Sequence, residues 1–318
     1  MASRVFLRRV IGASLLAAAL AGCKLASYFT QDLIAEAAIL AVFALSLDFL
    51  ATCGLVSFGH AGLLGVGAYT FGGLTVLAGY SPGTALAAAV LGGLIVAMAA
   101  GVFAVRTTGA FFIMVTLAMA EMFFSWVFRD RTFKGADGMG GVPRLDLSAI
   151  GVDLNDAATF SIFVVLLCAA IWLALEFLIV SPFGRTLDAI RQNAGRVSAL
   201  GGSVFAYRLA AFTISGGIAA FAGAFKVQHT NFLSPDLAGW LASGDVLIAV
   251  VIGGIGTLVG GILGAAILVF LKDFLSSHFG HWYLFLGAIF MMVAIGLPRG
   301  IVGWVLDFDW SRLRGNRP

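Results

Sequence analysis

The chain reads as long apolar runs separated by short polar breaks. Runs of roughly 20 apolar residues, the length a membrane-spanning helix needs, fall at Arg9–Phe29, Leu33–Leu50, Leu55–Tyr80, Thr84–Val105, Gly109–Phe128, Thr159–Val180, Tyr207–Val227, Thr257–Phe274 and Trp282–Leu297. A further stretch, Asp245–Gly254, is apolar but only half a span long. Ser181–Gly201 breaks the pattern, because it is polar and rich in arginine. Its apolar positions Leu187, Ile190, Val197 and Leu200 recur at three- and seven-residue spacings with Ala194 between them, the period of an amphipathic helix. Pro182 after Ser181 predicts a helix start, and Gly201 with Gly202 predicts its stop. A short amphipathic helix between two spans has no lipid-facing duty and is a docking element for something soluble.

Composition sharpens this picture. The chain is 61% hydrophobic and 11% charged, with a mean hydropathy of +1.04. A soluble domain of this size cannot carry that surface. The 41 glycines and six prolines agree, since both are commoner in membrane helices. The expected fold is an all-α polytopic membrane protein, a single transmembrane domain over 1–318. It has about ten helical segments, some broken or half-length. Cations at span ends give no nucleic-acid footprint. Cys23, Cys53 and Cys168 lie in apolar surroundings without metal-site or disulfide spacing.

Charge decides how many segments cross. With nine spans, nine of the 19 Lys and Arg fall inside and ten outside; counting Asp245–Gly254 as a short broken crossing gives 12 inside and seven outside. The positive-inside rule favours the second count. Both termini and the 181–208 segment are then cytoplasmic, and the 129–158 loop is external, although that loop carries Arg129, Arg131, Lys134 and Arg144.

The N-terminus has two readings. Arg4, Arg8 and Arg9, the run Val10–Leu20 and the sequence Leu20-Ala-Gly-Cys23 resemble a secretory signal that ends in a lipid-modified cysteine. The other reading is an uncleaved first span, and it is the one expected, because the apolar stretch resumes at Leu25.

Two glycine-dense elements lie within apolar runs. One carries Gly54, Gly59, Gly62, Gly65 and Gly67; the other, Gly253–Gly264, packs six glycines into 12 residues. Close helix packing, with Gly256 and Gly260 as a GxxxG pair, accounts for most of them. The sharper reading is a pair of broken helices lining a translocation path. That path would draw on Ser57, Gly59, His60, Gly62, Glu121, Gly253, Gly254 and Gly256. His60 has two open readings: a structural hydrogen bond to Ser57 or to a freed carbonyl, or a gating role. Glu36, Asp48, Glu121 and Glu176 are ionisable groups in or near spans, where such groups are costly. Asp48 and Glu176 are expected to reach water at span ends. Glu121 is the best buried candidate, for substrate contact or for a structural hydrogen bond.

No GxxxxGK[ST], HExxH, GxSxG or Cys/His cluster appears. Neither a filter-like ring motif nor a charged channel stripe is visible. A conduit without an engine is the reading, with no catalytic residue, metal or cofactor. A passive channel or facilitator for a small polar solute is the rival reading. A membrane hydrolase lacks a nucleophile–base pair.

Several motifs then occur in a recognisable order. They are Leu55-Val-Ser-Phe-Gly-His-Ala-Gly-Leu-Leu-Gly-Val-Gly-Ala-Tyr69, Gly109–Glu121, Lys134-Gly-Ala-Asp-Gly-Met-Gly-Gly-Val-Pro143, Ser181-Pro-Phe-Gly-Arg185, Ser234-Pro-Asp236 and Gly253-Gly-Ile-Gly256. From about Ala38 onward the chain resembles the LivM-type permease subunit of branched-chain amino-acid ABC importers of the bacterial inner membrane. The resemblance implies a second, LivH-like permease subunit, two ABC ATPase subunits and a periplasmic substrate-binding protein. Related permeases serve urea, short amides and other amino acids. By resemblance, Ser181, Pro182, Phe183, Gly184, Arg185, Asp188, Arg191 and Gly201 form the coupling helix on the ATPase. Gly135, Asp137, Gly138 and Pro143 form a periplasmic docking or gate element. Family members commonly carry acids where this chain has Gln192, Ala194 and Ser198, which leaves Asp188 alone against Arg185, Arg191 and Arg196. A more acidic ATPase groove, or a more apolar pairing, follows.

Overall fold

The computed structural model describes residues 2–25, 27–148, 151–297 and 299–307. Ten helices correspond to the expected membrane segments: α1 (Ala2–Leu25), α2 (Tyr28–Ala51), α3 (His60–Gly72, extended by a π turn at Gly73–Leu77), α4 (Pro82–Ala104), α5 (Ala110–Arg129), α6 (Ala157–Val180), α8 (Val204–Thr230), α9 (Trp240–Gly253), α10 (Val259–His278) and α11 (Trp282–Gly296). Two others, α7 (Pro182–Ala199) and α12 (Gly300–Asp307), lie between or after them. Eight stretches of the described residues are long and apolar enough to cross a membrane; α9, with 14 residues, is not among them. The protein is an all-α, multi-pass membrane protein.

Burial orders the bundle. Over an 18-residue stretch of each, 83% of α2 and 72% of α3 with its π turn is buried inside the protein, against 22% for both α4 and α5. Thus α2 and α3 form the centre, and α4 and α5 turn apolar side chains such as Ile95, Phe103, Phe111 and Met122 outward. Lipid tails are as apolar as leucine, so these helices gain little from burying hydrocarbon and associate by close approach of small residues. A Cβ on Gly67 of α3 would lie 1.9 Å from the Ala220 carbonyl oxygen of α8, and one on Gly223 would lie 2.0 Å from the Leu64 carbonyl oxygen. The α9–α10 pair repeats the device: a Cβ on Gly264 would lie 1.8 Å from the Ala249 carbonyl oxygen. Gly260 and Gly264 are therefore the working GxxxG pair. The expected pair fails, because Gly256 sits at φ +79° in the turn before α10 and is off the helix.

Contacts sort the helix ends into two faces. Arg8 of α1 reaches Glu176 at the end of α6, and Gly12 lies against Trp172, so the start of α1 shares a face with α7. The α9–α10 turn joins that face, with Gly300 packed on Gly254. At the opposite face, β1 (Met139–Gly140) pairs antiparallel with β2 (Phe232–Leu233). Arg144 there donates to the carbonyl oxygens of Gln228 (3.2 Å), Leu154 (2.8 Å) and Asn155 (3.2 Å), and its guanidinium lies 4.4 Å from the Phe160 ring centre. One of the loop's four cations is thus consumed in tying the loop to the bundle. Asp156 caps α6, and the bond from the Thr159 N–H holds its carboxyl below the usual carboxylate range. This arrangement matches the ten-segment count, with Lys24, Lys226 and Lys272 at ends remote from α7.

Several boundaries differ from expectation. The break between the first two helices comes earlier than the expected 30–32, since α1 ends at Leu25, α2 starts at Tyr28 and Gln31 reaches back to the Cys23 carbonyl oxygen at 3.1 Å. Cys23 is buried inside the continuous α1. The span expected over Leu55–Tyr80 is helical only from His60. The arginines at 312, 314 and 317 lie outside the described residues.

Overpacking the α9–α10 contact is expected to cost about 1–3 kcal/mol or more. Gly264→Val should lower the melting temperature of the detergent-purified protein, whereas Gly244→Ala, which faces open space, should leave it unchanged. Equal melting of both variants would refute close glycine packing as the source of stability here.

Candidate translocation path and coupling surface

At two of the connections between helices, side chains supply the partners that the backbone loses. After α2, residues 52–59 are not helical. The Phe58 N–H donates to Thr116 Oγ1 at 3.3 Å, the Gly59 N–H to Ser57 Oγ at 3.2 Å, and the Ala61 N–H to Ser243 Oγ on α9 at 3.0 Å. His60, fully buried at the head of α3, lies with Nε2 2.6 Å from Ser215 Oγ, and that hydroxyl donates to the Ser46 carbonyl oxygen at 2.6 Å. The hydroxyl's one proton is committed to Ser46, so Nε2 carries the imidazole proton and donates to Ser215. His60 therefore takes Ser215 as partner, not Ser57. Its Nδ1 is buried without a partner among the described residues, and the rings of Phe43 and Phe212 stand 6.3 Å away, centre to centre.

The second break joins α9 to α10. Gly254 (φ +117°), Gly256 (φ +79°) and Leu258 (φ +56°) turn the chain sharply. The buried Asp48 carboxylate accepts the N–H of Gly256 at 2.5 Å and that of Leu258 at 2.6 Å. This overturns the expectation that Asp48 reaches water at a span end. Glu176 is corrected likewise: it is 1% exposed and holds Arg8 at 2.5 Å. Both carboxylates sit near helix ends, but neighbouring helices cover those ends.

The predicted path residues divide. Ser57, Gly59, His60 and Gly62 gather at mid-bundle against Thr116 and Ala120 of α5. Gly253, Gly254 and Gly256 lie at the α7 face. Ser243 joins the two groups by bonding α9 to α3. Glu121 on α5 carries a buried Oε1 without a hydrogen-bond partner among the described residues. The glycines mostly fill contacts; a cavity of about 70 Å³ touches Gly59 and Gly62 and is almost wholly apolar.

The face opposite α7 holds a larger cavity, about 370 Å³, that sequence reasoning missed. Glu36 (α2) pairs with Lys226 (α8) at 2.8 Å, and Asp245 (α9) with Lys272 (α10) at 2.5 Å. Asp236, Asp273 and Ser276 add polar groups, and Phe43, Leu64 and Val269 line the interior. The available signal was in the charge count: Lys226, Asp245 and Lys272 punctuate three apolar runs at the same predicted face.

Of the predicted coupling residues, Pro182, Arg185, Arg191 and Gly201 are exposed, Ser181, Phe183 and Asp188 half-buried, and Gly184 buried. Ser181 caps α7, its Oγ accepting the Gly184 N–H at 3.4 Å, Pro182 opens the helix, and Gly201 (φ +84°) follows its end. Leu187 and Ile190 are buried, and Gly184 packs against the Ile179 carbonyl. Phe183 stacks on Tyr207 with ring centres 5.6 Å apart. Arg191 and Gln192 both donate to Asp188, at 2.6 and 2.8 Å. Arg185 is exposed and has no carboxylate partner among the described residues. The single amphipathic helix expected over this segment is instead kinked at Asn193 (φ −162°, ψ 96°). Beyond the kink the apolar face is not buried, and Leu200 is 90% exposed. Inward, α7 meets the first break directly: Gly54 (φ +80°) lies so close that a Cβ there would be 3.4 Å from Arg191 Cγ. Gly135, Asp137, Gly138 and Pro143 sit in the loop at the other face, where Gly138 packs on Leu233 and Phe232. Asp137 and Pro143 are exposed.

The described residues form a multi-pass helical bundle with two side-chain-supported breaks and a polar helix on one face. The branched-chain amino acid transport system permease component family matches residues 29–294, and the chain belongs to it. It is 29% identical over 274 residues to the high-affinity branched-chain amino acid transport system permease protein LivM of Salmonella typhimurium, and 28% over 271 residues to LivM of Escherichia coli K12. Each alignment covers 78% of this chain and 64% of the relative, so the chain spans less than two thirds of those proteins. LivH of Salmonella typhimurium is 28% identical over 160 residues, 47% of this chain and 52% of that protein. No solved structure matches.

Burial separates the carboxylates by consequence. Removing one partner of a buried pair costs about 3–5 kcal/mol, and stranding a buried backbone donor about 1–3 kcal/mol, whereas an exposed pair contributes about 0–1 kcal/mol. Glu176→Ala and Asp48→Ala should each unfold the protein at markedly lower denaturant, and Asp245→Ala, 37% exposed, should shift the midpoint little. A larger loss in Asp245→Ala than in Asp48→Ala would reverse this assignment.

Proposed function

We propose that the chain is one of two permease subunits of an ATP-driven ABC importer for branched-chain amino acids, in the bacterial inner membrane. The α7 face is cytoplasmic and docks on an ATPase; the β1–β2 loop faces the periplasm and a binding protein. One observation carries this reading: α7 packs beside the unwound segment 52–59, close enough that a Cβ on Gly54 would meet Arg191. A displacement of α7 thereby acts on the segment whose far end is bonded to α5, α8 and α9 through Thr116, Ser215 and Ser243.

Residues 182–190 anchor α7 through Leu187 and Ile190, while its surface offers Arg185 and, past the kink, Leu200. The segment's single acid is spent on Arg191 and Gln192. The docking surface is thus net positive with an apolar knob, which fits an acidic groove with an apolar pocket. The outward apolar faces of α4 and α5 suit lipid and a second, LivH-like permease. The chain has no nucleotide loop of its own, so the energy source is a partner.

Co-expression with candidate ATPase and binding-protein subunits, purification and reconstitution test this. ATPase subunits should copurify, and leucine should enter proteoliposomes only with ATP and binding protein. Arg185→Glu should reduce uptake at least about tenfold, an effect of about 1.4 kcal/mol on coupling, with unchanged melting temperature. Leucine uptake without ATPases would replace the importer by a facilitator, and full uptake in Arg185→Glu would remove α7 from the coupling role.

A further inference from the structure

The geometry points to the cavity between α2, α8, α9 and α10 as a receiving site for a zwitterionic amino acid with an aliphatic side chain. Naming a substrate class rests on the transport reading above. The cavity's volume of about 370 Å³ falls at the small end of ligand pockets. Its polar groups come as two ion pairs on opposite helix pairs, Glu36–Lys226 and Asp245–Lys272. A zwitterion needs both signs within one small volume, and neither a simple cation nor a simple anion uses both. Lys226 or Lys272 can donate to the substrate carboxylate, and the carboxylate this frees, with Asp236 and Asp273 beside it, accepts from the substrate ammonium group. The same cavity is lined by Ile39, Phe43, Leu64 and Val269, which suit a hydrocarbon tail. Phe43 also stands against His60, so the apolar lining ends on the mid-bundle break that α7 touches at its other end.

A pair of plain helix staples is the competing reading. Exposure weighs against it. Lys226 and Glu36 are 23% and 40% exposed, and Lys272 and Asp245 are 25% and 37% exposed. Such half-wet pairs hold helices weakly and exchange partners at little cost. The staples of this protein are the buried carboxylates of Glu176 and Asp48, which have no access to the cavity.

Labelling with a maleimide tests the site without relying on uptake. The three native cysteines of this chain are buried, so Ser276→Cys, at the cavity's exposed rim, provides one reporter on this subunit, read by its mass, in the assembled permease complex. L-Leucine should slow its labelling about tenfold at a concentration near ten times Kd. 3-Methylbutylamine and 4-methylpentanoate, each with the same tail and one charge, should protect far less. Adding Lys272→Met with Asp245→Leu should abolish protection while the melting temperature is kept. Absence of leucine protection in a complex that performs ATP-driven leucine uptake would overturn the site and leave the importer reading standing. Equal protection by the singly charged analogues would also overturn it. Leucine protection in a complex without ATP-driven uptake would support the site and overturn the importer reading.

Discussion

The controlling constraint is that no backbone N–H or C=O can be left bare inside hydrocarbon. Regular helices satisfy this by themselves. At two breaks, before α3 and before α10, missing partners come from side chains far away in sequence. Asp48 reaches across 208 and 210 residues to the N–H groups of Gly256 and Leu258. Thr116 and Ser243 serve the first break in the same way, and Ser215 fixes His60 against α2. Without those contacts, α3 and α10 would lose their defined starting points. The central position of α2 follows, because it contributes both Asp48 and the Ser46 carbonyl.

Charge inside such a protein divides by the water that reaches it. Glu176 and Asp48 are enclosed and hold Arg8 and a turn, respectively. Glu36, Asp245, Lys226 and Lys272 keep a share of solvent around a cavity. The first kind is architecture, and the second is chemistry available to a solute. The glycines serve the first purpose. They bring α3 to α8 and α9 to α10, and few of them face open space within the bundle.

The two faces are joined along a short line. At one end α7 meets Gly54, at the middle His60 links α2, α3 and α8, and at the other end Phe43 closes the charged cavity. A bistable element for alternating access needs such a connection between a driven surface and a solute-facing one. Past the kink at Asn193 the apolar face is incompletely covered, with Ala194 and Val197 half-buried and Leu200 outward. The periodicity of the segment showed an apolar face over both halves and did not show that only the first is covered.

Hydrophobic run length determined the all-α membrane architecture, since span length depends only on the thickness of hydrocarbon to be crossed. The charge count favoured reading the half-length α9 as a crossing, because cations distribute by side. Capping chemistry marked Ser181, Pro182 and Gly201 as the limits of α7, because caps are local. Tertiary structure alone decided which ionisable groups are buried. Asp48 and Glu176 lie close to helix ends, and whether an end is wet depends on what packs over it. It also decided that Gly260 and Gly264, not Gly256 and Gly260, make the close contact, because the turn before α10 takes Gly256 off the helix. The paired charges around the cavity come from four helices far apart in sequence. No local pattern places Glu36 beside Lys226 or Asp245 beside Lys272; that proximity exists only once the helices pack.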